Sequence, residues 1–301
     1  ALAEQGVRIT AIDLDLGGSN LHNFLGISNK YAGIGDFINT PKATLAEYRV
    51  DTGINNLSFI PGDGITPFMA NISFLKKEKL IKGIRRLDSD LVLLDLGAGT
   101  TYNTLDFFNM ANRGILVTKP DFLSTISMLS FLKNAMIRKI DRQIRKSERS
   151  RKKLEELVRK PMDGDPFTIA KIAEEIALMN PDDSKWIADL CSRFRPGIIF
   201  NLGSDANEMS IIDQFSTGMK NILSIEADYF GFVMEDKSVS MSIHEKIPFI
   251  NYSGSSVSAI EVKQIAKRMI KYLEKKIERS GTLLRESTEA FLKKKENEKK
   301  E

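Results

Sequence analysis

Cysteine is almost missing. Cys191 is the only one in 301 residues, so the chain has no disulfide framework and no multi-cysteine metal site. Such usage argues for a reducing compartment, the cytoplasm. Histidine is nearly as scarce. His22 and His244 are the two, widely separated, which argues against a histidine-based metal site. No apolar stretch is long enough to span a bilayer. A strong excess of one charge is missing too. Lysine and arginine number 44 against 40 acids, a net charge of +4, although the basic residues are unevenly spread. No internal repeat is visible. Apolar residues make up 42% of the chain, enough for a sizeable core in one large α/β domain or two smaller ones.

Two stretches carry chemistry. Ile9 to Asn20 reads Ile-Thr-Ala-Ile-Asp-Leu-Asp-Leu-Gly-Gly-Ser-Asn. A short apolar run ends in Asp13 and Asp15, on one side of the strand end, and Gly17 and Gly18 then break the strand. Ligands of α/β proteins bind at the carboxyl ends of parallel strands. Two carboxylates there suit a hydrated cation and an oriented water. The same residues also read as a plain acidic turn with Asn20 as an N-cap. Leu91 to Gly99, Leu-Val-Leu-Leu-Asp-Leu-Gly-Ala-Gly, is an apolar run of the kind buried on both faces. It ends in Asp95 and a small-residue loop. A hydrophobic strand ending in Asp is how P-loop NTPases present a Mg²⁺-holding carboxylate, and glycines let backbone approach a phosphate closely.

Together the Asp-x-Asp-x-Gly-x-x-Asn pattern at Asp13, Asp15 and Asn20 and the Asp-x-x-Ala-Gly pattern at Asp95 to Gly99 resemble the MinD/ParA family of P-loop ATPases, in the flavour of its flagellar-number regulators. The resemblance covers most of the chain except a central insertion. It implies an α/β fold with a mostly parallel, doubly wound sheet flanked by helices. It also implies ATP and Mg²⁺ as ligands and hydrolysis of ATP. Asp15 would orient the attacking water, Asp13 would support the Mg²⁺ shell, and Asp95 would hold Mg²⁺ through a water. Gly99 would sense the γ-phosphate, Asn201 would read adenine, and Glu235 and Asp236 would flank the base. Family members form ATP-dependent dimers and answer to an activating protein partner, so the nucleotide times their assembly. The implied roles are placement of a division site, of a chromosome or plasmid, or of flagella.

One family feature is missing. The phosphate-binding loop, Lys-Gly-Gly-x-Gly-Lys-Ser/Thr, precedes the Asp-x-Asp strand in that family, and no Gly-x-x-x-x-Gly-Lys-Ser/Thr occurs in this chain. Ala1 to Gly6 reads as the last turn of a helix with a glycine C-cap. The expectation is an N-terminally truncated fragment that cannot by itself cradle a triphosphate. The other reading is a non-hydrolysing regulatory or scaffold protein that kept the fold without the loop. The retained carboxylates argue against it, because without a cation they repel one another.

The expected organisation is an ATPase domain over 1–280, with a helical insertion at about 138–195, and a charged, frayed tail over 281–301. Helices are expected at 31–40, 71–87, 124–140 and 257–277, and strands at 7–13, 57–61, 91–95, 114–118, 197–201 and 227–233. Two surfaces are basic. One runs from Arg138 to Lys160. The other is the polar face of the last long helix, with Lys263, Lys267, Arg268, Lys271, Lys275, Lys276 and Arg279. Each could be a solvated helix face, or could meet DNA or acidic lipid, which would put the protein at the nucleoid or the membrane periphery. Leu283, Leu284, Phe291 and Leu292 offer a weak apolar stripe for a membrane-lying helix.

Overall fold

The computed structural model describes residues 1–62, 72–144, 147–159 and 168–298. Strand β1 (Ile9–Asp13) leads to helices α1 (Leu21–Phe24) and α2 (Ile34–Asn39), then to β2 (Val50–Asp51), β3 (Leu57–Ile60), α3 (Phe74–Ile84), β4 (Leu91–Asp95) and α4 (Tyr102–Met110). The chain continues through β5 (Ile115–Thr118), α5 (Phe122–Ile144), α6 (Glu148–Arg159), α7 (Ile169–Ala177) and α8 (Pro181–Arg193). It closes with β6 (Gly197–Gly203), α9 (Ile211–Gly218), β7 (Asp228–Met234), α10 (Lys237–His244), α11 (Phe249–Tyr252), α12 (Val257–Tyr272) and α13 (Ser280–Glu298).

The chain forms two compact units. The first is Ala1–Met110 with Asp236–Lys271, and the second is Ala111–Glu235 with Tyr272–Glu301. The first holds a four-stranded sheet in the order β2-β3-β1-β4. Its β1 runs parallel to both β3 and β4, and β2 pairs antiparallel to β3. β1 is Ile-Thr-Ala-Ile-Asp, buried along its whole length, as a central parallel strand must be. A core of Ile12, Ile34, Phe37, Ile60, Leu80 and Phe107 joins the sheet to the helices. Lys77 of α3 and Asp106 of α4 form an ion pair inside this unit, both side chains nearly sealed from water.

The second unit holds a three-stranded parallel sheet, β5-β6-β7. Phe200, Phe230 and Phe232 are buried in it, as are Leu132, Met136 and Ile140 of α5. Arg113 and Arg195 both reach the fully buried Asp228, at 3.2 and 2.8 Å, and fix the amino ends of all three strands.

As expected, the strands are mostly parallel and flanked by helices; they are hydrogen-bonded in two sheets, one in each unit. Among the described residues of this first unit β4 pairs with β1 alone, and its apolar residues Leu91 to Leu94 are half-buried. The segment expected to fray is the helix α13. Its Leu284 and Thr288 are buried and recur at helical spacing, and α13 packs on β7. Burial of one stripe explains why a segment so rich in charge is ordered. It also takes Leu284 from the stripe that a membrane would need, while Leu283 remains exposed. The expected helix at 71–87 is present from Phe74 to Ile84 and that at 31–40 from Ile34 to Asn39; Asn71 lies outside the described residues.

Candidate functional site

The site in the first unit is built at the carboxyl ends of β1 and β4. Their register puts Asp13 beside Asp95, and the Leu14 N–H donates to the Asp95 carbonyl at 2.7 Å. Asp13 is wholly buried. One of its carboxylate oxygens accepts the Asp15 N–H at 3.1 Å. The other accepts the Ser19 hydroxyl at 2.7 Å and the Leu21 N–H at 3.0 Å. Both oxygens are thus engaged by the chain, and their first task is to hold the 15–21 turn in shape. Sequence reasoning assigned Asp13 to the metal shell and missed Ser19, although an Asp-to-Ser spacing across a glycine pair is a turn-forming signal.

Asp15 is the more available carboxylate. It is half-buried and stands against two glycines. A Cβ on Gly97 would lie 2.5 Å from its Oδ1, and one on Gly18 would lie 3.3 Å from its Oδ2. Gly97 is therefore required because the Asp15 carboxylate occupies the space a side chain would fill. This adds a steric role to the glycine loop. Gly99, at φ +99°, is exposed with open space around it.

Asp95 is exposed, and its pKa is raised from the ordinary aspartate value. Desolvation by the surrounding chain is the largest cause, and the Asp13 and Asp15 charges add to it. Three carboxylates thus meet at two adjacent strand ends, with no lysine or arginine paired to them among the described residues. No group of three acids or histidines there is arranged as a ready metal site, again among the described residues. The donors are nevertheless hard oxygens, and their mutual repulsion would be relieved by a cation. That fits Mg²⁺, which takes one or two carboxylates and keeps several waters.

The raised pKa has a testable sign. An acid whose folded pKa exceeds its unfolded one destabilises the fold once pH rises past both values. Asp95→Asn should therefore stabilise metal-free protein in urea titrations at pH 7. At about pH 3, where the carboxyl is largely protonated in both states, the gain should vanish. An equal gain at both pH values would remove charge as the cause.

The remaining candidates are placed differently. Asn201 and Glu235 lie in the second unit; β6 runs two residues past Asn201, to Gly203, and Glu235 directly follows β7. The Glu235 N–H donates to the Gly203 carbonyl at 2.8 Å, so the two loop starts are joined. Glu235 is exposed, and Asn201 is half-buried with its amide in no hydrogen bond among the described residues. Asp236 lies in the first unit as the N-cap of α10. It accepts the Ser238 N–H at 2.9 Å and the Ser238 hydroxyl at 2.5 Å. Although desolvation pushes the other way, the net shift of its pKa is downward, caused by hydrogen bonds from the hydroxyls of Ser238, Ser256 and Ser258 and from the Ser238 backbone. Its carboxylate is committed to the cap.

The basic stretch is matched in part by acids of this region. Arg138 pairs with Asp141 at 3.7 Å, Arg151 with Glu155 at 3.3 Å, and Lys152 with Glu148 at 2.8 Å. Lys153 reaches Glu175 of α7 at 3.0 Å. The Lys139 ammonium stands 5.4 Å from the centre of the Phe194 ring. Arg145, Lys146 and Lys160 lie outside the described residues. On α12, Lys263 donates to the Gly254 carbonyl at 3.3 Å, while Lys267 is exposed. No helix among the described residues is long and apolar enough to cross a membrane.

Parallel strands with carboxylates and glycine loops at their carboxyl ends define an α/β fold of the kind that places ligand sites at strand ends. Solved structures narrow it further. The chain is similar to the cell-division ATPase MinD of Pyrococcus furiosus, with 17% identity over 90% of this chain and 88% of that one, at a TM-score of 0.54. It is similar to a ParA family ATPase from Chlorobium tepidum, with 14% identity over 90% and 89%, at 0.55. It is also similar to an ATP complex of a substituted McdA from Cyanothece, with 12% identity over 92% and 90%, at 0.53. The fold is that of the MinD and ParA ATPases. No family model matches the sequence, and no curated protein matches it.

Proposed function

We propose that the protein is an ATP-binding and ATP-hydrolysing dimerisation switch of the MinD/ParA type, acting in spatial positioning or partitioning. The observation that carries this reading is the Asp15 carboxylate, seated between Gly18 and Gly97 in a turn that Asp13 holds in place. Phosphoryl transfer to water is mostly positioning and charge stabilisation, and Asp15 is the carboxylate placed to orient the water. Asp95 would hold Mg²⁺, with Asp13 behind it fixing the turn. When bound, the ion offsets the charge on the phosphate oxygens. Gly99 offers an exposed backbone at the same strand end. Asn201 would read the base, with Glu235 beside it, and Asp236 would serve by fixing the start of α10.

These 301 residues contain no phosphate-binding lysine loop, and the reading needs such a loop to cradle the phosphates. A magnesium-bound relative supports the ion: the MinD of Pyrococcus horikoshii is a Mg-ADP complex, at 15% identity. The MinC:MinD complex of Aquifex aeolicus supports a protein partner. Of the two polyanions, duplex DNA is the better supported, since α13 spends part of its apolar stripe on β7 and α12 keeps Lys267 exposed.

Sedimentation of the full-length protein with Mg-ATP, Mg-ADP and no nucleotide tests the switch. A dimer with ATP alone is expected, and duplex DNA should co-sediment with it less as salt rises. A monomer in all three conditions would favour the non-hydrolysing scaffold.

A further inference from the structure

At the carboxyl end of β6 the backbone does something that its sequence does not favour. Phe200 pairs with Phe232 and Gly203 with Met234, so β6 carries one extra residue between these pairs. The bulge is closed at Leu202, whose φ is +59°. That left-handed conformation suits glycine and asparagine and is strained for leucine. The five other non-glycine residues with positive φ among the described residues are Lys42, Asn56, Ser224, Lys246 and Arg279. All of these are polar, and Leu202 is the only apolar member. Its side chain gains little from the protein interior, for it is 46% exposed.

The path through Leu202 is imposed from both sides. A Cβ on Gly203 would lie 2.3 Å from the Phe232 ring, and the Gly203 carbonyl accepts the Glu235 N–H at 2.8 Å. The bulge therefore needs a left-handed residue at this position, and glycine would fill it at least cost. A leucine kept where it strains the backbone and faces solvent has its use in the side chain, and strain of this kind gathers at ligand sites. Its neighbours suggest the ligand. Asn201 precedes it with an amide that can give and accept hydrogen bonds at once, and both sit where α/β folds bind nucleotides. An apolar surface beside an amide is what a flat heteroaromatic base needs: a face to lie on and a partner for its edge.

We propose that Leu202 is the platform on which the base of the bound nucleotide lies, with Asn201 reading the base's edge. This rests on the nucleotide reading above and adds a residue that selects a nucleotide over bare polyphosphate. Leu202 is a specificity residue and takes no part in the transfer itself.

The test compares Leu202→Gly and Leu202→Met with wild type in the full-length protein, by calorimetric titration with Mg-ATP and with magnesium tripolyphosphate, which has no base. Leu202→Gly should weaken ATP about fivefold or more, leave tripolyphosphate unchanged, and keep or raise the thermal midpoint, since glycine relieves the strain. Leu202→Met should retain ATP affinity. Unchanged ATP affinity in Leu202→Gly would overturn the proposal, as would equal weakening of tripolyphosphate or a lowered thermal midpoint, which would make Leu202 a packing residue. Wild-type protein that binds neither ligand would instead overturn the nucleotide reading, and Leu202 would fall with it.

Discussion

Replacing Lys77 by methionine is expected to destabilise the fold by about 3–5 kcal/mol. The Lys77 and Asp106 side chains are 6% and 1% exposed, so neither can be rescued by solvent. Each charge left water on folding, and the mutual attraction in a low-dielectric interior offsets that desolvation. Lys77→Met keeps the length and most of the volume of the side chain, so packing between α3 and α4 changes little. What changes is that the ionised Asp106 loses its buried cation. Restoring balance by a different route should restore stability. The double variant Lys77→Met with Asp106→Leu should recover most of the loss, because replacing both members of a buried pair by apolar groups is often neutral or better. Urea titrations of the two single variants, the double variant and wild type at pH 7 form the cycle. A cost below about 1 kcal/mol for Lys77→Met would show that water reaches the pair.

Much of this architecture was legible because its signals are local. β1, β4, β5, β6 and β7 are apolar runs bounded by turns, and each appears within a residue or two of its expected place. The site acids were legible for the same reason: Asp13, Asp15 and Asp95 end apolar runs, and parallel register brings such ends together. What could not be read is non-local. Nothing in Ser280 to Glu298 announces that β7 will offer a surface to Leu284 and Thr288. The roles inside the site were hidden too. Asp13 and Asp15 are two residues apart and chemically identical, yet one has both oxygens bound by the chain and the other faces a space cleared by glycines. Charge runs hide their pairing in the same way: within Arg138 to Arg159 four cations reach Asp141, Glu148, Glu155 and Glu175, which a count of charges does not show.

That difference between Asp13 and Asp15 yields the second large effect. Asp15→Ala in the full-length protein should abolish turnover while leaving ATP binding intact, with a loss of at least about 100-fold in kcat. Asp13 remains bonded to the Ser19 hydroxyl and the Leu21 and residue-15 N–H groups, so the turn keeps its shape when the neighbouring carboxylate goes. Alanine is also smaller than aspartate, so Gly18 and Gly97 meet no new atoms. One acid is lost from a cluster of three, which relieves repulsion at Asp95 and should hold affinity for the nucleotide steady or strengthen it. Asp13→Ala should behave differently. It removes the acceptor for three donors in a buried position, which should cost about 2–4 kcal/mol of stability and impair binding and turnover together. Fluorescence titration with an ATP analogue, phosphate release and urea titration on both variants separate the cases. Normal phosphate release by Asp15→Ala would end the assignment of the water-orienting role. Equal behaviour of the two variants would mean that the turn acts as a single unit, with no carboxylate reserved for the water.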